Sequence, residues 1–229
     1  MPINIALVGG DEFRAECSAM DNHILSLIPY QRPRVLIVPT AAALENPLQA
    51  AINGVNYFSS LGATANQLMI VDREQADKSS LVDSVYDASL VYFTGGNPHH
   101  LITTVRGSKL HKAIVKTLKT DSILVGSSAG AMMMGSVLRL PSGEWIQGLG
   151  VAPGIAVLPH HERSDPAEVL RLLQKEMVPA EICVLGIDTA TCCFGQSGNW
   201  VVLGQGAVTL YQGGRWKRFG SGETLGNVS

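Results

Sequence analysis

A serine becomes a nucleophile where a sharp turn lifts its hydroxyl beside a base and beside free backbone N–H groups. The stretch Gly126-Ser127-Ser128-Ala129-Gly130 has the residue types for such a turn. It follows the apolar run Ser122-Ile123-Leu124-Val125 and leads into the helix-forming Ala131-Met132-Met133-Met134. In the Gly-x-Ser-x-Gly spacing the attacking residue is Ser128, and the small neighbours allow strand and helix to meet without a side-chain clash. The Ala129 N–H, next along the chain, could stabilise an oxyanion. The same pattern also suits a small-residue turn with a solvated serine, so a base has to be found.

His160 and His161 follow the apolar run Ala156-Val157-Leu158-Pro159, a strand end of the kind at which open α/β sheets place their sites. A pair of surface loop histidines is the plainer alternative. A base also needs an acid to hold its tautomer. No histidine follows His161, and Glu144, the one acid between Ser128 and His160, lies too close to Ser128 for an intervening strand and helix. The order serine, acid, histidine of an α/β-hydrolase is therefore excluded, and the expected order is serine, histidine, acid. Asp188, closing the apolar segment Cys183 to Ile187, is the candidate, and Glu162 and Asp165 are weaker ones.

Three further residues and one arginine could complete a site. Gly95, Gly96 and Asn97 form a turn after Leu90-Val91-Tyr92-Phe93-Thr94, and the glycine amides could join Ala129 in an oxyanion hole with Asn97 beside the substrate. Arg163, three residues beyond His160, could bind a substrate carboxylate bidentately, although a solvated surface arginine is the commoner situation.

The elements that must position these residues alternate along the chain. Apolar strand patterns run over Ile3 to Val8, Val35 to Val38, Gln67 to Val71, Ser89 to Thr94 and Ser122 to Gly126. Helical patterns lie between them: Glu12 to Ile28, Asn46 to Leu61 with Pro47 at its first position, and Pro98 to Thr120. Pro166 to Met177 is also helical. Near-continuous apolar strands separated by helices imply a parallel sheet covered on both faces. Trp200 to Leu203, Ala207 to Tyr211 and Gly214 to Phe219 alternate between glycine turns, which suits antiparallel hairpins. The expected fold is a three-layer α/β sandwich over residues 1–229 as one domain, with a mostly parallel central sheet and a C-terminal antiparallel edge extension.

Composition narrows the partners. A net charge of −2 gives no electrostatic reason for nucleic acid binding. No apolar run approaches the roughly 18 residues of a membrane span. The start Met1-Pro2-Ile3-Asn4 has no basic leader, so a cytoplasmic protein with reduced thiols is expected. Vicinal Cys192-Cys193 is not a metal-ligand spacing, and no metal or cofactor is expected. The oligomeric state is open, a homo-oligomer included.

Several of these segments together resemble the serine peptidase family that contains aspartyl dipeptidase (dipeptidase E) and cyanophycinase. The segments are Tyr92-Phe93-Thr94-Gly95-Gly96-Asn97, Gly126 to Ala131, Gly148-Leu149-Gly150 and Pro159-His160-His161, and the resemblance runs roughly from Ile5 to Leu210. It implies a fold like that of class I glutamine amidotransferases and an acyl-enzyme on Ser128, with His160 as base. The implied activity is that of an exopeptidase acting on a short or acidic peptide. The family glutamate falls on Thr189, which leaves its neighbour Asp188 as the acid. That departure keeps a second reading open, a binding or regulatory member with an incomplete triad. An amidotransferase-type hydrolase would carry cysteine where Ser128 stands.

Overall fold

The computed structural model describes residues 4–120, 122–176, 178–179, 181–196, 198–226 and 228. Ile3, in the first expected strand, and Met177, ending an expected helix, lie outside the described residues. The strands are β1 (Asn4–Val8), β2 (Arg34–Val38), β3 (Thr64–Gln67), β4 (Leu90–Phe93), β5 (Ile123–Ser127), β6 (Val137–Arg139) and β7 (Trp145–Gln147). They continue as β8 (Ile155–Pro159), β9 (Cys183–Ile187), β10 (Thr191–Gln196), β11 (Asn199–Gly204), β12 (Ala207–Gln212), β13 (Arg215–Gly220) and β14 (Thr224–Gly226). The α-helices are α1 (Ser18–Ser26), α2 (Pro47–Ser60), α3 (Arg73–Ala76), α4 (Ser79–Val82), α5 (Pro98–Val105), α6 (Lys109–Thr117), α7 (Ala129–Met134) and α8 (Pro166–Lys175).

The central sheet has the order β14-β11-β10-β1-β5-β4-β2-β3. Its β3-β2-β4-β5-β1 part is parallel, and β10, β11 and β14 extend it antiparallel beyond β1. Alternate residues of the parallel strands enter two separate cores, as a period of two requires. Leu7, Val38, Phe93 and Leu124 pack with α5, α6 and α7 on one face. Val8, Ile37, Tyr92 and Val125 pack with α1 and α2 on the other. The expected three layers are present. A second sheet, β13-β12-β9-β8, adds a parallel β8–β9 pair that the sequence pattern did not separate from the central sheet.

Three expected elements differ, each for a local reason. The strand expected at Gln67 to Val71 pairs with β2 four-square only from Thr64 to Gln67; Leu68 and Ile70 are buried in the loop that follows. The long helix expected from Pro98 to Thr120 is two helices, broken at Gly107 (φ 77°) and restarted by Ser108, whose Oγ accepts the His111 N–H. The helix expected from Glu12 starts only at Ser18, because Asp11 (φ 57°) and Phe13 (φ 65°) are left-handed. That delay leaves Glu12 outside regular structure at the C-terminal edge of the sheet.

Asp21 of α1 is a buried carboxyl, 2% exposed, accepting the Tyr57 O–H of α2 at 2.8 Å. Burial raises it to about 7, against the pull of the Tyr57 hydrogen bond. In the unfolded chain the group titrates near 4, so the folded state holds the extra proton between those values. Its contribution is full below about pH 4 and is lost as pH rises through 7. The melting temperature is expected to fall between pH 5 and 8. Asp21→Asn keeps an acceptor for Tyr57, and it should flatten that slope and be the more stable protein at pH 8 by roughly 2 kcal/mol. Parallel pH slopes in thermal melts of the two proteins would contradict this assignment.

Candidate active site

The turn after β5 is fixed by close backbone approaches. A Cβ on Gly126 would lie 2.4 Å from the Gly130 carbonyl carbon, and one on Gly130 would lie 2.5 Å from the Phe93 carbonyl oxygen. Between them Ser128 adopts φ 48°, ψ −110°, its N–H donating to the Val8 carbonyl at 2.9 Å, and α7 begins at the next residue. A non-glycine residue in this region is strained and is held there by its surroundings.

His160 arrives from the second sheet. It follows β8 in the left-handed region (φ 53°, ψ 38°) and donates its N–H to the Gly9 carbonyl at the end of β1. Its ring lies over Gly10, where a Cβ would meet Cε1 at 2.2 Å. This brings Nε2 to 3.2 Å from Ser128 Oγ, the separation of a serine and its base. His161 points away: its buried ring meets the Tyr211 hydroxyl at 2.7 Å, and burial lowers its pKa. Of the adjacent pair, the residue against Ser128 is His160.

The expected acid makes no hydrogen bond to His160 among the described residues. Asp188 Oδ2 accepts the Ala207 N–H at 3.0 Å and the Arg218 guanidinium at 2.6 Å. Asp188 Oδ1 and His160 Nδ1 are both buried with no hydrogen-bond partner among the described residues. The Asp188 N–H donates to the Ala207 carbonyl of β12, and its carboxylate is ion-paired with Arg218 of β13. Asp165 caps α8 through the Ala167 and Glu168 N–H groups. Glu162 Oε2 accepts the Thr189 N–H at 2.9 Å. Burial raises the Glu162 carboxyl, but that hydrogen bond and the charges of Arg163 and His160 bring it below the usual range. Asp188→Asn is accordingly expected to lower kcat/KM by less than about tenfold, against the roughly 10⁴ of a lost triad acid. Steady-state kinetics of that variant decide between the two.

Other expected contributors are also corrected. The Gly95 N–H is taken: it donates to Glu12 Oε1 at 2.7 Å. The N–H groups of Gly96 and Ala129 have no acceptor among the described residues. Asn97 uses its side chain to cap α5, accepting the His100 N–H at 2.9 Å. Arg163 is mostly exposed, paired with Glu162, and absent from the cleft walls. The cleft itself holds about 430 Å³ above Ser128 and His160 and is lined by Asp11, Glu12, Arg14, Glu45, Gly95 and Gly96 among others. Sequence reading missed Glu12. The signal was its place just after Gly9-Gly10, at the carboxyl end of a parallel strand, where such sheets present functional side chains.

A serine beside a histidine at the carboxyl edge of a parallel sheet is shared by several hydrolase folds, so the pair alone does not distinguish a family. The sequence profile described as peptidase family S51 matches residues 5–196. The chain belongs to peptidase family S51. This S51 protein is thus a hydrolase of peptide bonds. It is 29% identical over 193 residues to a cyanophycinase of Geminocystis herdmanii, covering 78% of this chain and 69% of that one. It is 26% identical to a peptidase E of Citrobacter koseri over 141 residues, 56% of this chain and 58% of that one. The solved structure of a peptidase from an acI-B1 Actinobacterium superposes with a TM-score of 0.86 at 27% identity, covering 99% of this S51 chain and 97% of that one. The resemblance read from the sequence and the α/β fold both hold. No helix of the described residues is long and apolar enough to cross a membrane.

Proposed function

We propose that the protein is a serine exopeptidase that cleaves short peptides through an acyl-enzyme on Ser128. The observation that carries this is the 3.2 Å approach of His160 Nε2 to Ser128 Oγ on a strained strand-to-helix turn. His160 takes the hydroxyl proton as Oγ attacks the scissile carbonyl, and the imidazolium then protonates the leaving amine. The Gly96 and Ala129 N–H groups receive the oxyanion. Water then hydrolyses the ester, with His160 again as base. A cleft of about 430 Å³ accommodates a few residues, in keeping with a short substrate. Arg14 in its wall could pair with an acidic side chain, and Asp11, Glu12 and Glu45 oppose a strongly anionic one.

The unpartnered His160 Nδ1 favours one other reading, a family member that binds peptides without turning them over. A fluorophosphonate probe separates the two. Stoichiometric labelling of the native protein at Ser128, mapped by peptide mass and absent from Ser128→Ala, is the expected result. A native protein that stays unlabelled, or is labelled elsewhere, ends the catalytic reading.

A further inference from the structure

Among the described residues Glu12 is the one carboxylate in the cleft that hydrogen-bonds both segments flanking the serine. Its Oε1 accepts the Gly95 N–H and its Oε2 accepts the Ser127 O–H, each at 2.7 Å. These bonds span 83 and 115 residues of sequence, and they join the turn after β4 to the last residue of β5. A hydrogen bond to a charged acceptor is shorter and about twice as strong as a neutral one. Ser127 is fully buried, so its hydroxyl has no water to exchange for the carboxylate.

The bonds of the β4 turn give the brace its meaning. The Thr94 N–H donates to the Val38 carbonyl and the Asn97 N–H to the Ala41 carbonyl. Gly96 is wedged against Ala41, where a Cβ would lie 2.3 Å from the carbonyl oxygen. With Gly95 held by Glu12, Gly96 is the turn residue whose N–H remains without an acceptor among the described residues. A Cβ on Gly95 would stand 3.3 Å from Ser128 Cβ, so the turn and the serine are packed in contact. Any play in the Gly95 peptide moves the Gly96 N–H relative to Ser128, and oxyanion donors work only when fixed in advance.

We infer that Glu12 is a positioning residue for the reaction: it clamps the Gly95–Gly96 turn to Ser127 and so sets the Gly96 N–H against Ser128. The inference rests on the catalytic role proposed for Ser128. The clamp acts on the transition state, so its loss should appear in kcat and in the rate of fluorophosphonate labelling, and leave KM for p-nitrophenyl acetate within about threefold. Glu12→Ala should label at least about thirtyfold more slowly, the loss expected for a misplaced oxyanion donor. Glu12→Gln keeps an amide oxygen for the Gly95 N–H and an NH₂ for Ser127 Oγ, and its labelling should recover to within about fivefold of wild type. Ser127→Ala removes one bond with little change of volume. It should slow labelling by about three- to tenfold, and the loss should be less than additive with Glu12→Ala.

The Gly95 backbone amide in a ¹H–¹⁵N spectrum reports the bond without reference to turnover. It should shift upfield in Glu12→Ala and hold its place in Glu12→Gln. Glu12→Ala labelling as fast as or faster than wild type would overturn the clamp, as would a Gly95 amide that does not move. A wild-type protein that never labels overturns both the clamp's part in catalysis and the reading of Ser128, while an amide that still shifts shows the hydrogen bond to be real. An unlabelled wild type thus sinks the parent proposal, and rapid labelling of Glu12→Ala sinks the clamp alone.

Discussion

Replacing Ser128 with alanine is expected to lower kcat/KM for p-nitrophenyl acetate by about 10⁴-fold or more, because in the proposed mechanism the attacking oxygen is removed and the oxyanion donors have nothing to stabilise. The fold does not depend on that oxygen: among the described residues its hydrogen-bond partner is His160 Nε2, at 3.2 Å. The melting temperature should therefore shift by no more than about 2 °C. A sharper test uses the backbone. Ser128 sits at φ 48°, ψ −110°, a region open to glycine and strained for a residue with a Cβ. Ser128→Gly should be as inactive as the alanine variant and more stable than it by roughly 1 kcal/mol, the strain released minus the added chain entropy. A glycine variant less stable than alanine would mean that the turn is not strained. Residual turnover above about 1% of wild type in either variant would mean that another group attacks.

The second large effect comes from a residue that makes no chemistry. Gly10→Ala places a Cβ 2.2 Å from His160 Cε1 and 2.7 Å from Nδ1, at a φ of 130° that alanine resists. The ring has to swing, and a displacement on the order of 1 Å at a reacting group costs about 10²-fold in rate. Because the imidazole leaves Ser128 altogether, about 10³-fold in kcat/KM is expected, with roughly 2–4 kcal/mol of lost stability from clash and strain. Gly62→Ala is the control: φ is 89° there and nothing lies within 4 Å of the new Cβ. It should show only the strain, about 1 kcal/mol, and unchanged kinetics. Gly10→Ala with wild-type kcat/KM would show that the imidazole is not held over Gly10 during turnover.

The parts of this site that could be read from sequence are those carried by local pattern. Strand, glycine, serine, glycine and helix occur within a few residues of one another, so the turn at Ser128 was visible. The proposed base was visible as a histidine at the end of an apolar run, and the family resemblance already favoured His160, the residue that lies against Ser128, over His161. The partners of Asp188 were hidden for a non-local reason: its carboxylate pairs with Arg218, 30 residues away, and its strand with β12, neither of which local pattern reveals. Glu12 was hidden because an apolar helical pattern from Glu12 onward absorbed it. The left-handed residues Asp11 and Phe13 that keep it out of the helix are types with no obligation to adopt that conformation. Gly95 was read as a free donor for the same reason, since its acceptor lies 83 residues earlier. In the fold, the parallel strands followed from their apolar runs, whereas the division into two sheets depends on pairings between segments far apart in the chain.

All four cysteine side chains are buried. Cys192 and Cys193 are successive residues of β10, so their side chains leave opposite faces of the sheet, one into each apolar core. Burial lifts the Cys17 thiol to about 12 and raises Cys192 and Cys193 as well. Alkylating agents and peroxides attack thiolates that water can reach. A folded molecule of this protein offers them no such target among these three thiols, so its hydrolysis should run equally well in oxidising and reducing media. Iodoacetamide, which silences cysteine-dependent hydrolases in a mixed preparation, would leave this activity standing.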